Sequence, residues 1–476
     1  MKRTKIVATI GPSSSDYKTL LKMAKAGMNV CRLNFSHGSY KNHLELINNI
    51  KKVRYTLNEP IAIMQDLQGP KIRVSDVSRD GVRVDKDEQI ILIHDKIVNY
   101  KLLVGSLNKI IPVSFPIHSV VKRNNNILVH DGLIKLRVIK IDKELVWCKV
   151  FNSGIIFPHK GINIPGVDIV GSAITKKDIE DLRFGLSHDI DWVALSFVKN
   201  HKDILKLKRL IKKYKPGIDV KVMAKIEKPE AVKDIKNIIN ISDGIMVARG
   251  DLGVELSVEK VPIVQKDIIR KCIEAGKVVV VATQMLESMV ENSQPTRAEV
   301  SDVANAVIDH ADALMLSGET AYGKYPVESV SIMSEIIANT EDSPYDDDLK
   351  LIDSNKISNV SALSESVKDL VLNSKAKVIV VATNSGFSAK MISRYRPETP
   401  IIALVNSDKV KRQLNISWGI ISFDMPKCKD INVLINKSVK LIKDKKIVKK
   451  GDLAVIVTGQ PVGLKENMNI IKLQKI

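Results

Sequence analysis

Three features of the sequence predict an α/β protein: a (β/α)8 TIM barrel with an inserted small β-barrel lid domain and a C-terminal open α/β domain. Eight short apolar runs alternate with amphipathic segments. The third run ends at Gly69 and the fourth begins at Asp191, a gap far longer than one crossover helix needs. After the eighth run, an acidic, proline-containing stretch leads into a second and shorter alternation.

The eight runs are KIVATIG (5–11), NVCRLNFSH (29–37), IAIMQDLQG (61–69), DWVALSFV (191–198), KVMAKIE (221–227), GIMVARGD (244–251), VVVVATQM (278–285) and ADALMLSGE (311–319). Each is strand-length and apolar at successive positions, as in parallel strands covered on both faces. The segments between them, such as DYKTLLKMAKAG and VPIVQKDIIRKCIEAG, have helical spacing and end at glycine. Residues 1–69 and 169–340 are therefore expected to form the barrel. The inserted stretch 70–168 holds β-like runs, including EQIILIHDKI, NILVHDGLIKLRVIKID and ELVWCKVFNSG, and is expected to be the lid. EDSPYDDDLK (341–350) opens the third domain, 341–476. Helices are expected there near 357–373, 407–414 and 430–444, with strands KVIVVAT, PIIALV, WGIISFD and DLAVIVTG, and NIIKLQKI as a terminal strand.

Composition removes several classes of function. The 476 residues include 74 Lys and Arg against 54 Asp and Glu, a formal charge of +20. No apolar run approaches a membrane span, and the N-terminus carries no secretory pattern. The four cysteines lie far apart with no metal spacing, which suits a reducing, cytoplasmic setting. The basic excess is spread along the chain, and only 4% of residues are aromatic. Nucleic acid is therefore not the expected partner; small polyanions are.

Polar residues stand where the apolar runs end: Arg32, Asn34 and Ser36 on the second, Asp66 on the third, Lys225 and Glu227 on the fifth, Arg249 and Asp251 on the sixth, Thr283 on the seventh. In such a barrel the C-terminal strand ends carry the active site. Alternation along a strand predicts a shared face for Arg32, Asn34 and Ser36, for Lys225 with Glu227, and for Arg249 with Asp251. Two carboxylates, Glu227 and Asp251, suit a hard divalent cation such as Mg2+. Two fixed cations, Arg32 and Lys225, suit a phosphoryl group. Together they describe phosphoryl transfer. GETAYGKY (318–325) resembles a P-loop but ends in Tyr325 where a metal-binding hydroxyl belongs, and is read as coincidence.

KIVATIGPSS, NVCRLNFSHG, QDLQGPKIR, VMAKIEKPEA, IMVARGDLGVE, VATQMLESM and LMLSGETAYGKYPVE together resemble the pyruvate kinase family over almost the whole chain. The resemblance implies a cytoplasmic phosphotransferase of glycolysis that makes pyruvate and ATP from phosphoenolpyruvate and ADP. It implies Lys225, Arg32 and Thr283 as catalytic, with Gly250 and Asp251 joining them around the substrate. Glu227 and Asp251 would hold Mg2+ or Mn2+. Arg73, Lys160, His37 and Asn34 would meet the nucleotide. A monovalent cation would sit at Asn34, Ser36, Asp66 and Leu67. Family members that need K+ read Asp-Thr-Lys-Gly-Pro-Glu-Ile-Arg-Thr there, whereas this chain reads Asp66-Leu67-Gln68-Gly69-Pro70-Lys71-Ile72-Arg73-Val74. These departures resemble the K+-independent branch, with Lys71 substituting for the cation. The resemblance also implies a homotetramer and a phosphorylated effector at Thr383, Asn384, Ser385, Gly386 and Ser388. Asn384 and Phe387 replace two cations of the fructose-bisphosphate-activated form. The alternative reading is a metal-dependent C–C lyase of pyruvate or phosphoenolpyruvate on a similar barrel.

Overall fold

The computed structural model describes residues 2–97, 109–130, 132–167, 172–346, 359–426, 428, 430–459 and 468–476. Eight parallel strands close into a barrel. They are β1 (Lys5–Thr9), β2 (Val30–Asn34), β3 (Ala62–Leu67), β13 (Trp192–Leu195), β14 (Lys221–Ile226), β15 (Gly244–Ala248), β16 (Val278–Ala282) and β17 (Ala313–Leu316), in the spatial order β1-β17-β16-β15-β14-β13-β3-β2. Every predicted run supplies one strand. The lumen is filled by Val7, Val30, Met64, Met223, Met246 and Val280, so it is a packed core and not a pore. A second apolar layer lies between strands and helices, where Leu20, Ile47, Leu207 and Ile268 are fully buried.

Between β3 and β13 the chain builds the lid. Seven strands form one sheet in the order β4 (Ile72–Arg73), β12 (Gly161–Asn163), β8 (Asn126–Val129), β9 (Ile134–Asp142), β10 (Leu145–Val150), β6 (Gln89–His94) and β7 (Lys109–Val113). β11 (Gly154–Ile156) pairs with β5 (Val82–Val84). The lid has its own core, including Val84, Ile90, Leu136, Val146 and Val150. Asp131, within one expected strand run, lies outside the described residues, as does the expected lid boundary at 168.

Gly69 starts the crossing into the lid. Its φ is +68°, and a Cβ there would stand 2.9 Å from the Phe197 ring. Only glycine fits that turn without strain.

The C-terminal sheet has the order β20 (Ile420–Asp424), β19 (Ile401–Val405), β18 (Val378–Ala382), β21 (Leu453–Thr458) and β22 (Ile470–Lys475), with β22 antiparallel to β21. Helices Asn359–Ser374, Asp408–Leu414 and Ile431–Asp444 stand where sequence periodicity places them. Part of the acidic connection, 347–350, lies outside the described residues.

Candidate active site

Asp66, at the C-terminal end of β3, is the anchor of the site. It is 1% exposed. Arg32 donates to its Oδ2 through Nε and Nη2, both at 2.7 Å. Lys225 Nζ lies 3.3 Å from the same oxygen. Burial alone would raise the Asp66 carboxyl, but Lys225 and Arg32 hold it below the ordinary range. Thr9 on β1 accepts from Arg32 Nη1 at 2.8 Å. Of five guanidinium hydrogens, these contacts use three. One remains on each terminal nitrogen, and Arg32 lines the cavity above.

Lys225 and Glu227 share a face, as alternation predicts, with Nζ 2.9 Å from Oε1. Lys225 also donates to Ser196 Oγ at 2.8 Å. Burial disfavours its charge, yet Asp66 and Glu227 outweigh that and raise its pKa. Glu227 is 1% exposed, and its Oε2 accepts from the Phe197 amide at 2.7 Å. Burial, with repulsion from Asp251, raises the Glu227 carboxyl despite the attraction of Lys225. Asp251 moves the other way: burial would raise it, but Lys71 holds it low. Lys71 Nζ lies 2.8 Å from Asp251 Oδ1. Two carboxylates that repel each other, of which Asp251 lines a cavity, fit a divalent cation. Among the described residues, no group of three or more His, Cys, Asp or Glu could hold a metal, so such a site needs oxygens from substrate or water.

The alternation expected of Arg249 and Asp251 does not occur. β15 ends at Ala248, and a helix runs from Arg249 to Glu255. Helical geometry turns Arg249 toward the Thr283 carbonyl (2.8 Å) and Asp302 (2.7 Å), whereas Asp251 meets Lys71. Ser36 likewise lies beyond β2, and its amide donates to Asn34 Oδ1 at 3.1 Å. Thr283 follows β16 with a φ of +72°, and its hydroxyl accepts from the Gly250 amide at 2.8 Å.

A cavity of about 1120 Å3 is lined by Arg32, Lys71, Gly250, Asp251 and Thr283 and reaches His37 and Asn34, whereas Lys225 and Glu227 are not among its lining residues. Arg73 is near enough to depress the His37 imidazole, after burial, and donates to the His159 carbonyl at 2.9 Å. Lys160 is on the lid, where its carbonyl accepts from the Val74 amide at 2.9 Å, and does not line this cavity. In the loop 383–388, Gly386 N donates to Thr383 Oγ1 at 3.1 Å, and Asn384 accepts from Asn406 at 3.2 Å. In the P-loop-like stretch, Lys324 pairs with Glu291 at 2.5 Å, while Gly318 and Tyr322 line the cavity.

Sequence reasoning missed Ser196 and Thr9, although both are hydroxyls at strand ends and the same rule finds them. It also missed the Phe197 amide, which no side-chain pattern reveals.

A buried aspartate holding two cations at the strand ends of a parallel barrel, beside two further carboxylates each paired with a lysine, suits phosphoryl transfer. Residues 1–330 match the family model for the pyruvate kinase barrel domain, and residues 361–474 match the pyruvate kinase alpha/beta domain. A pyruvate kinase of Clostridium acetobutylicum is 40% identical, with all of both chains covered. One from Staphylococcus aureus is 41% identical, with all of this chain and 81% of that one covered. The crystal structure of a Cryptosporidium parvum pyruvate kinase superposes with a TM-score of 0.87 at 34% identity, covering 100% of this chain and 96% of that one. The chain belongs to the pyruvate kinase family. It is a phosphotransferase, and the lyase reading finds no support in these comparisons. Among the described residues, no helix is long and apolar enough to cross a membrane.

Proposed function

We propose that this chain transfers the phosphoryl group of phosphoenolpyruvate to ADP through the strand-end constellation, with Mg2+ or Mn2+ and without need of K+. The observation that carries the reading is the shared anchoring of Arg32 and Lys225 on buried Asp66. It fixes two positive charges side by side at the strand ends before substrate arrives, and preorganised charge is the main tool of phosphoryl transfer.

Arg32 presents its two unused N–H groups to phosphate oxygens. Lys225 stays an ammonium because two carboxylates flank it, and it offsets charge on the phosphoryl group and on the enolate left behind. Glu227 and Asp251 would hold the divalent cation, which when bound adds neutralising charge for those same oxygens. Gly250 and Thr283 border the enolpyruvate, with the Thr283 hydroxyl on the side where carbon is protonated. His37, Asn34, Arg73 and Lys160 serve the nucleotide. Arg73 and Lys160 belong to the lid, whose closure would bring them over the phosphates and exclude water.

Lys71 carries the K+ part of the reading. Its ammonium stands on Asp251, while Asp66 is already taken by Arg32 and Lys225. Unit charges about 4 Å apart interact by roughly 4 kcal/mol at an effective dielectric of 20. A built-in cation therefore makes a soluble one at Asn34, Ser36, Asp66 and the Leu67 carbonyl redundant. Family resemblance further supports a homotetramer and activation by a phosphorylated metabolite at 383–388. Light scattering tests the first; phosphoenolpyruvate saturation curves with sugar phosphates and AMP test the second. The catalytic reading is tested by coupling pyruvate formation to lactate dehydrogenase. Pyruvate is expected only when phosphoenolpyruvate, ADP and Mg2+ are all present.

A further inference from the structure

Glu319 is a buried carboxylate to which the phosphoryl-transfer reading gives no task. Its exposure is 0%. One oxygen accepts from the Leu286 amide at 3.0 Å, the other from the Ser317 amide at 2.7 Å. Burial pushes its carboxyl up, and backbone amides are what hold its charge. The two amides belong to different loops. One follows β16 and carries Thr283. The other follows β17 and reaches the cavity wall at Ser317.

The loop after β16 needs holding. Thr283 and Gln284 have φ of +72° and +53°, a left-handed conformation that non-glycine residues keep only when the surroundings impose it. Arg249 grips one side, donating to the carbonyls of Thr283 at 2.8 Å and Gln284 at 3.0 Å. Glu319 grips the other at Leu286. Held between them, the Thr283 hydroxyl accepts from Gly250 N and donates to the Ala282 carbonyl at 2.5 Å. Thr320, beside Glu319, donates to the Thr9 carbonyl at 2.9 Å, and the Thr9 hydroxyl in turn receives Arg32.

We propose that Glu319 is a positioning residue for the proton-transfer half of the reaction: by clamping the Leu286 and Ser317 amides it fixes the Thr283 hydroxyl against the carbon that is protonated. The proposal rests on the assignment of Thr283 given above. Glutamine in place of Glu319 keeps the shape but offers one acceptor oxygen, and sets an NH2 group against the second amide. One loop is then released.

Exchange of the methyl hydrogens of pyruvate with D2O, with Mg2+ and inorganic phosphate present and followed by proton NMR, isolates proton transfer from phosphoryl transfer. Glu319→Gln is expected to slow exchange roughly 10- to 100-fold, the scale of a small misplacement, with KM for phosphoenolpyruvate within about twofold. Thr283→Val slows exchange too. On that background Glu319→Gln is expected to cost less than about threefold, because both act through one hydroxyl. Equal slowing on both backgrounds, or a Glu319→Gln enzyme exchanging at the wild-type rate, overturns the proposal. A Thr283→Val enzyme with unchanged exchange overturns the Thr283 assignment instead, so the two readings fail separately. Should Glu319→Gln not fold, Glu319→Asp keeps the charge, reaches a single amide and is judged in the same cycle by the same outcomes.

Discussion

Lys71 and Glu227 are the two residues whose chemistry is most exposed to test. Lys71 places a covalently held ammonium 2.8 Å from Asp251. Lys71→Glu is expected to lower kcat and to make the remaining activity rise with added K+, which steady-state rates over a K+ series measure. A variant that loses activity without gaining a K+ response would separate Lys71 from the cation role. Glu227 sits above the ordinary carboxylate range through burial and the Asp251 charge. A carboxylate must be ionised to bind a metal. Because the pKa is raised, protonation begins at a higher pH than for a free glutamate, while Asp251 stays ionised. The apparent Mn2+ dissociation constant should therefore climb as pH falls through the Glu227 value, by up to about tenfold per pH unit for one proton. Electron paramagnetic resonance titration reads this, and a flat profile would remove Glu227 from the metal site.

At the scale of single elements, strand ends matter more than strand interiors. Apolar runs located all eight barrel strands, because burial on both faces leaves a plain signal. Polar interruptions at their ends located Arg32, Asp66, Lys225, Glu227 and Thr283. Period-two alternation carried Lys225 and Glu227 correctly across the end of β14. It failed for Arg249 and Asp251, because the chain turns helical at Arg249 and strand geometry stops. The grip of Phe197 N on Glu227 was illegible, since backbone donors carry no residue code. Gly69 tests how tightly one such end is packed. A Cβ there would stand 2.9 Å from Phe197 and 3.2 Å from the Ser196 carbonyl, and these two residues hold Glu227 and Lys225. Gly69→Ala is expected to destabilise by about 1–3 kcal/mol and to lower kcat. An unchanged melting temperature and rate would contradict that packing.

Across the whole molecule, the three-part plan was readable from the long gap after Gly69 and the acidic stretch at 341–350, but the seam between barrel and C-terminal domain was not. It is built from pairs distant in sequence. Asp191 is 0% exposed side chain and binds Arg54 of the barrel at 2.9 Å and Arg412 of the C-terminal domain at 2.8 Å. Asn415 donates to the carbonyls of Asn29 and Pro60, and Ile416 joins the apolar cluster that fills the barrel lumen. Removing a buried partner leaves uncompensated charge. Asp191→Ala should therefore cost about 3–5 kcal/mol, seen as an earlier urea transition. A shift worth under about 1 kcal/mol would mean the seam is held by packing alone.

Cations fixed at the strand ends are central to the proposed catalysis, and one measurement tests them most directly: the initial rate of ATP formation from phosphoenolpyruvate and ADP, with Mg2+ in K+-free tetraalkylammonium buffer, for the wild-type chain and for Lys225→Met. The wild type is expected to turn over at ordinary kinase rates, about 1–100 per second, and Lys225→Met to lose at least about a thousandfold. A wild-type enzyme inert until K+ is added, or a Lys225→Met enzyme within about tenfold of it, would contradict the account.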